Sequence, residues 1–392
     1  MTQNKPDATT DLRSLFLLRP EVIFFNHGSF GACPRPVFEA YQRRQLELEQ
    51  QPVEFLQRRL SDLLQESRQQ LGTFLNADAE DLVFVTNVSL GLNIVARSLD
   101  LQPGDEVLST DHEYGSLDRT WEWVCNKSGA HYIRRPIPLP IHSVDEVVDA
   151  VWSGVNERTR VLYCSHITSP TALTLPVEEL VSRAREAGII TIIDGAHAAG
   201  QIPLDLPAIG ADFYAANCHK WMMSPKGAGF LYACREKHDL LEPLIGGRAG
   251  TQSNSTRLLA EHQYQGTRDP ASFISVSDAI KFMAQHDWPQ VQQNCHQLAR
   301  YAREKVAQLT GLPPVIPDSP RWFSQMALLP IPPCDAAELK RRLFEEYSVE
   351  IPITGHGDQR FLRISVQGYN SQADVDALVT ALAALLPEVI TE

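Results

Sequence analysis

The chain has 392 residues, 43% of them apolar, and a formal net charge of −13. That length and apolar share allow a large core divided between two domains, while the acidic balance argues against a nucleic-acid or anionic-membrane surface. No apolar stretch reaches the roughly 18 residues of a membrane span, and the start, MTQNKPDATTDLRS, has neither the basic head nor the apolar run of a signal peptide, so a cytoplasmic location is expected. Seven scattered cysteines offer neither a disulfide ladder nor a CxxC clamp, and twelve histidines include no HExxH, so no metal site is expected.

Residues 1–20 read as a polar arm that orders by packing on the body or on a neighbour. An apolar run then ends in NHGSFG at 26–31, after which Pro34 and Pro36 guide entry into a helix. Across 37–75 apolar positions recur at three- and four-residue spacing, interrupted at Pro52, which predicts long helical character. The strand DLVFVT at 81–86 runs through Asn87-Val88-Ser89 into a helix. The unpaired N–H groups of such a helix start, with the Ser89 hydroxyl, make a ready anion site. A short strand at 106–110 opens into Asp111-His112-Glu113-Tyr114-Gly115, where an aromatic side chain can stack on a flat ring. A strand at 130–134, a helix at 142–151, a strand at 160–165 ending in SHITSPTA and a helix at 177–187 continue an α/β rhythm.

The stretch 189–232 carries the densest chemistry. Its apolar run at 189–193 reads as a buried parallel strand ending in the acid Asp194, followed by Gly195-Ala196-His197. A second run at 212–216 delivers Asn217-Cys218-His219-Lys220, and Gly227-Ala228-Gly229 allows a tight return into a strand at 230–233. Ligands of open α/β sheets bind at the carboxyl ends of the strands, so this acid and this lysine face one crevice. An amine that holds pyridoxal phosphate covalently, with a carboxylate that keeps the pyridine nitrogen protonated, is one chemistry such a pair suits. Composition and periodicity do not prove it, since a lone lysine is usually solvated.

A polar, glycine-bearing crossing at 242–263 is expected to be more mobile. Helical patterns at 271–283 and 288–309 lead into a smaller domain with strands at 322–328 and 362–367 and helices at 336–346 and 373–386. Within it, Arg363 of FLRISVQGYN offers a guanidinium fork that matches an amino-acid carboxylate.

In this order, DGAH at 194–197, HKW at 219–221 and PKGAGFLY at 225–232 resemble the class V aminotransferase family of pyridoxal-phosphate enzymes, particularly its isopenicillin N epimerase-like branch. The resemblance covers nearly the whole chain from about Asn26. It implies an α/β fold of type I: a large domain with a mostly parallel seven-stranded sheet and a smaller C-terminal α/β domain. The expected divisions are 1–36 for the arm and active-site segment, 37–270 for the cofactor domain and 271–392 for the small domain. It also implies pyridoxal 5′-phosphate as cofactor, with Lys220 as its covalent anchor, Asp194 at the pyridine nitrogen and His197 at the phenolic oxygen. Val88, Ser89, Asn217 and His219 fall on phosphate-side positions. Gly266-Thr267, in HQYQGTRDP, matches a pair that reaches the phosphate from a second subunit, which implies a homodimer with composite sites. His112, by register with TDHEY, is the first choice for the stacking residue and Tyr114 the alternative. Thr168 is the candidate donor toward substrate or the ring oxygen. Asn26 and His27 fall on the substrate side, Arg363 takes the carboxylate-clamp position, and Pro52, Phe55 and Arg58 match a short PxxFxxR-like segment.

Such a site acts at Cα of an amino acid or an amino-acid-containing small molecule, with Lys220 moving the proton. Epimerisation is the first expectation and β-elimination of a sulfur-containing amino acid the second. Transamination and a non-catalytic interaction scaffold are further alternatives. Cys334 lies among prolines in LLPIPPCDAAEL, and the serine-rich cysteine loop of persulfide-forming relatives is absent, so direct persulfide transfer is disfavoured.

Overall fold

The computed structural model describes residues 12–246 and 256–390. The first eleven residues of the expected arm and positions 247–255 of the expected mobile crossing lie outside the described residues. The strands, in chain order, are β1 (Ile23–Phe24), β2 (Leu82–Val85), β3 (Glu106–Thr110), β4 (His131–Arg135), β5 (Thr159–Ser165), β6 (Ile190–Asp194), β7 (Phe213–Asn217), β8 (Gly229–Ala233), β9 (Met326–Ile331), β10 (Val349–Glu350), β11 (Ile353–His356) and β12 (Gln359–Ser365).

A seven-stranded sheet has the order β2-β8-β7-β6-β5-β3-β4. Only β8 opposes the common direction, because the tight Gly227 turn (φ +85°) folds it straight back on β7. Every residue of β2, β3, β7 and β8 is buried, which is why these strands read as continuous runs rather than alternations. Alternate residues face two cores. Val107, Val161 and Ile192 meet Leu92 and Trp121 on one side, while Leu108, Leu162 and Ile193 meet Leu180 on the other. Among the described residues no helix is long and apolar enough to cross a membrane.

The helical stretch predicted over 37–75 is two helices, Arg35–Gln50 and Leu60–Leu75, joined through a wider turn at Glu54–Arg59 just after Pro52. The small domain has an antiparallel sheet ordered β11-β12-β9, with helices Trp288–Thr310, Ala336–Tyr347 and Gln372–Val389. Strand β11 was not expected, because ITGH has no apolar run. Pairing with β12 supplies its ladder instead.

The N-terminal segment is tied to the small domain by a separate two-stranded sheet, β1-β10, and by one bridge to β12. Ile23 pairs with Val349 in parallel, and Asn26 bridges to Ser365. This delivers the NHGSFG turn onto the backbone of Lys220. Gly31 has φ +71°, and a Cβ built there would run directly into the His219 carbonyl. Gly31→Ala is therefore expected to destabilise the protein by about 2 kcal/mol or more through combined strain and overlap. Chemical denaturation of the cofactor-loaded protein checks this, and an unchanged midpoint would show that the segment is not clamped.

Candidate active site

The carboxyl ends of β5, β6 and β7 and the start of the Val88–Ser98 helix enclose a cavity of about 250 Å³. Ser165, Asp194, His197, Asn217, His219 and Lys220 line its base, and Ser29, Phe30, Tyr114 and Ser169 are also on its wall. This is the strand-end crevice expected of an open α/β sheet.

Lys220 follows β7 and shows its partial exposure to this cavity. Its Nζ lies 3.3 Å from His197 Nε2, and Trp221 Nε1 donates to His197 Nδ1 at 3.3 Å. A ring that accepts at Nδ1 carries its proton on Nε2, which then donates to the lone pair of a neutral lysine. Burial lowers Lys220 to about 8 against the pull of Asp194, and Arg363 adds to the lowering. Burial and the charges of Lys220 and Arg363 hold His197 well below its ordinary value. An amine poised near neutrality suits a nucleophile and a base.

Asp194 ends β6, with Oδ1 accepting the Ala196 N–H at 2.8 Å. Burial pushes it up to about 6, opposed by that N–H and by Lys220. The next element supplies an anion site. Asn87 caps the Leu90 N–H at 2.9 Å, and the Val88 N–H donates to Asn217 Oδ1 at 2.9 Å. Val88 and Asn217, both expected on a phosphate, are thus placed to hold each other. Ser89 supplies the first-turn N–H that lacks an intrahelical acceptor, together with its hydroxyl. His219 donates from Nδ1 to the Ala228 carbonyl at 3.0 Å, and burial lowers it to about 4, which leaves Nε2 unprotonated beside the cavity. A lysine with no carboxylate contact among the described residues, a buried acid and a helix start that leaves the Ser89 N–H uncommitted fit an anionic pyridine aldehyde such as pyridoxal phosphate.

Several expected site residues lie elsewhere. His112 is fully buried, and its ring closes a directed chain: Leu173 N–H donates to Thr168 Oγ1 (2.9 Å), Thr168 to Thr171 (2.7 Å), Thr171 to His112 Nδ1 (2.7 Å), and His112 Nε2 to the Ile137 carbonyl (2.7 Å). His112 and Thr168 are consumed by this chain and do not line the cavity. Tyr114, 44% exposed, does line it. His112 also stacks on His356 with ring centroids 3.9 Å apart, and Asp111 completes the one metal-like grouping found among the described residues. Both His112 nitrogens are already bonded, so the grouping is a clasp between the two domains rather than an open ligand set. His27 is buried beneath the lysine, its Nε2 donating to the Lys220 carbonyl at 3.1 Å and its Nδ1 accepting from Tyr369 at 3.0 Å. Gly266 and Thr267 line a different cavity, of about 500 Å³, with Leu56, Leu60 and Phe273.

Arg363 is buried immediately behind the wall. Its Nη1 donates to the Ser169 carbonyl (2.6 Å) and hydroxyl (3.3 Å), and Nη2 donates to Ser29 Oγ (3.0 Å). Ser29 in turn donates to Asn26 Oδ1 (2.5 Å), and Asn26 donates to Glu350 (3.1 Å). Arg363 forms no ion pair among the described residues, its Nε is buried without a partner, and burial lowers it to about 10. Asn26 therefore touches Ser29 and Glu350 and does not line the cavity. Ser29 and Ser169 were missed individually, although both hydroxyls stand inside the motifs NHGSFG and SHITSPTA.

The description "Aminotransferase class-V" fits a family match over residues 26–378. The chain is 35% identical to the isopenicillin N epimerase of Amycolatopsis lactamdurans, over 96% of this chain and 98% of that one. It is 28% identical to a probable chloroplastic L-cysteine desulfhydrase of Arabidopsis thaliana, over 94% and 83% respectively. Among solved structures, the cysteine desulfurase CsdA of Escherichia coli superposes with a TM-score of 0.81 at 25% identity, covering 96% of this chain and 98% of that one. With a lysine, an acid and an anion-binding turn gathered at the strand ends of this sheet, the chain belongs to the class V aminotransferase family, and it is a fold-type I pyridoxal-phosphate enzyme.

Proposed function

We propose that the enzyme catalyses β-elimination at a carbon–sulfur bond of a cysteine-like amino acid. The observation that carries this reading is that, among the described residues lining the cavity, Lys220 is the one basic side chain not already tied up in a hydrogen bond to the backbone or to Trp221. His197 and His219 make those bonds, and burial holds His197 neutral. One base suffices to remove the Cα proton, whereas direct inversion also needs a donor on the opposite face. When bound, the cofactor supplies an electron sink for the charge that develops at Cα. Lys220 takes the Cα proton, the Cβ–S bond breaks with its electron pair leaving on sulfur, and the sulfur departs as a thiol after protonation. Hydrolysis of the remaining fragment gives pyruvate and ammonia. The similarity to a desulfhydrase supports the same reading.

In this site Arg363, with Ser29 and Ser169, receives the substrate carboxylate. Tyr114 rather than His112 stacks on the ring, His197 meets its phenolic oxygen, and Ser89 donates to the phosphate, whose negative charge raises His219 so that its Nε2 takes up a proton and donates as well. Gly266 and Thr267 complete the phosphate site of a second copy in a homodimer, a role compatible with their separation from Lys220 within one chain. Cys334 is no carrier of persulfide. It bridges to Ile390, and burial raises its thiol.

Epimerisation is retained as the second reading because the 35% identity to an isopenicillin N epimerase spans nearly the whole chain. Incubation with S-substituted cysteines in deuterated water separates the two. Pyruvate and free thiol are expected, whereas inversion with Cα deuteration and no pyruvate would establish the epimerase. Cys334→Ser is expected to leave product formation unchanged, and a persulfide on Cys334 would overturn both readings.

A further inference from the structure

Glu113, just after β3, is a buried carboxyl with no assigned role. The charged groups that act on it are both acidic, Asp194 of β6 and Asp118 of the Gly115–Ser128 helix. Its other titratable neighbours are Tyr132 of β4 and Tyr163 and Cys164 of β5. No cation offsets it among the described residues.

Its hydrogen bonds constrain where its proton sits. Thr110 Oγ1 accepts the His112 N–H (3.2 Å) and donates to Glu113 Oε1 (2.6 Å). The Ser165 N–H donates to Oε2 (2.9 Å). One contact remains, 2.5 Å between Oε2 and Ser165 Oγ, and it holds a single proton. An ionised Glu113 would take that bond from the serine hydroxyl. A neutral Glu113 donates it, which frees the serine's own proton. A buried carboxyl without a cation and near another carboxylate favours the neutral acid. Ser165 lines the cavity and pairs in register with Asp194, so the two side chains project from the same face of the sheet.

We propose that Glu113 is a positioning residue: as a neutral acid it aims the Ser165 hydroxyl proton at the cofactor beside Asp194, and its ionisation reverses that hydroxyl. The proposal rests on pyridoxal phosphate occupying this cavity and is independent of which reaction follows. Burial, with lesser contributions from Asp194 and Asp118, lifts Glu113 to about 8 despite the bonds from Ser165 and Thr110, so the reversal falls just above neutrality.

The test is cofactor retention by the loaded enzyme, measured by visible absorbance at equilibrium from about pH 6 to about pH 10. In the wild type the dissociation constant is expected to rise roughly fivefold across pH 8, the worth of one hydrogen bond, on top of any change common to all forms. Glu113→Gln, which stays neutral, and Ser165→Ala should each lack that component, and the double variant should lose no more than Ser165→Ala alone. A Glu113→Gln profile parallel to the wild type, or additive losses in the double variant, would overturn the proposal. Should Glu113→Gln fail to fold, infrared spectra of wild-type enzyme carrying carbon-13-labelled glutamate decide it. A neutral-acid band at pH 7 that fades through pH 8 is expected, and its absence at pH 7 refutes the neutral acid. Neither readout uses turnover, so failure here and failure of the elimination reading are distinguishable.

Discussion

Replacing Lys220 with alanine is expected to abolish covalent attachment of the cofactor to the chain and to slow exchange of the substrate Cα proton at least about a hundredfold. The His197 tautomer fixed by Trp221 directs a donor at the lysine nitrogen, which is the arrangement of a neutral amine, and burial favours the same state. The other lysine close by is already used, since Lys226 Nζ donates to the Gly31 carbonyl at 2.8 Å. Mass analysis after borohydride reduction should therefore find the label on Lys220. Label on Lys226, or exchange unchanged in Lys220→Ala, would remove Lys220 from the chemistry.

Arg363→Ala is expected to lower kcat/KM on the order of a hundredfold or more, about 3 kcal/mol, because under the proposed role it deletes the buried cation that receives the substrate carboxylate. Arg363→Lys should recover little of that, since an ammonium lacks the planar fork that Ser169 and Ser29 hold in place. The discriminating control is an amine lacking the α-carboxylate, whose slower reaction should be insensitive to the substitution. Equal losses for both substrates would make Arg363 a structural tie between Ser29 and Ser169.

The large sheet was legible in the sequence because its strands are buried on both faces and so appear as short apolar runs with turn residues between them. The placement of Asp194 and Lys220 on one strand-end cavity was legible for a related reason, since both are polar residues where those runs stop. What the sequence concealed depends on which way a side chain turns after its strand ends. His112, Glu113 and Tyr114 are consecutive, yet the first closes a buried chain of hydroxyls, the second meets Ser165 and the third faces the cavity. Nothing in TDHEY distinguishes these three directions. The same holds for His27, whose motif was recognised but whose ring supports the Lys220 carbonyl from below. Strand β11 was hidden because its ladder comes from β12 rather than from its own composition.

The attachment of β1 to β10 links the small domain mechanically to the Lys220 turn. The same few residues form an edge of the small domain, support the reactive lysine through His27 and carry Ser29 to Arg363. They work as a tether with an anchor at either end, so any displacement of the small domain would be felt at the lysine turn and at the Arg363 guanidinium together. Deleting Ile23 and Phe24 would therefore disturb the Lys220 turn and the Arg363–Ser29 contact at once, although neither residue lines the cavity.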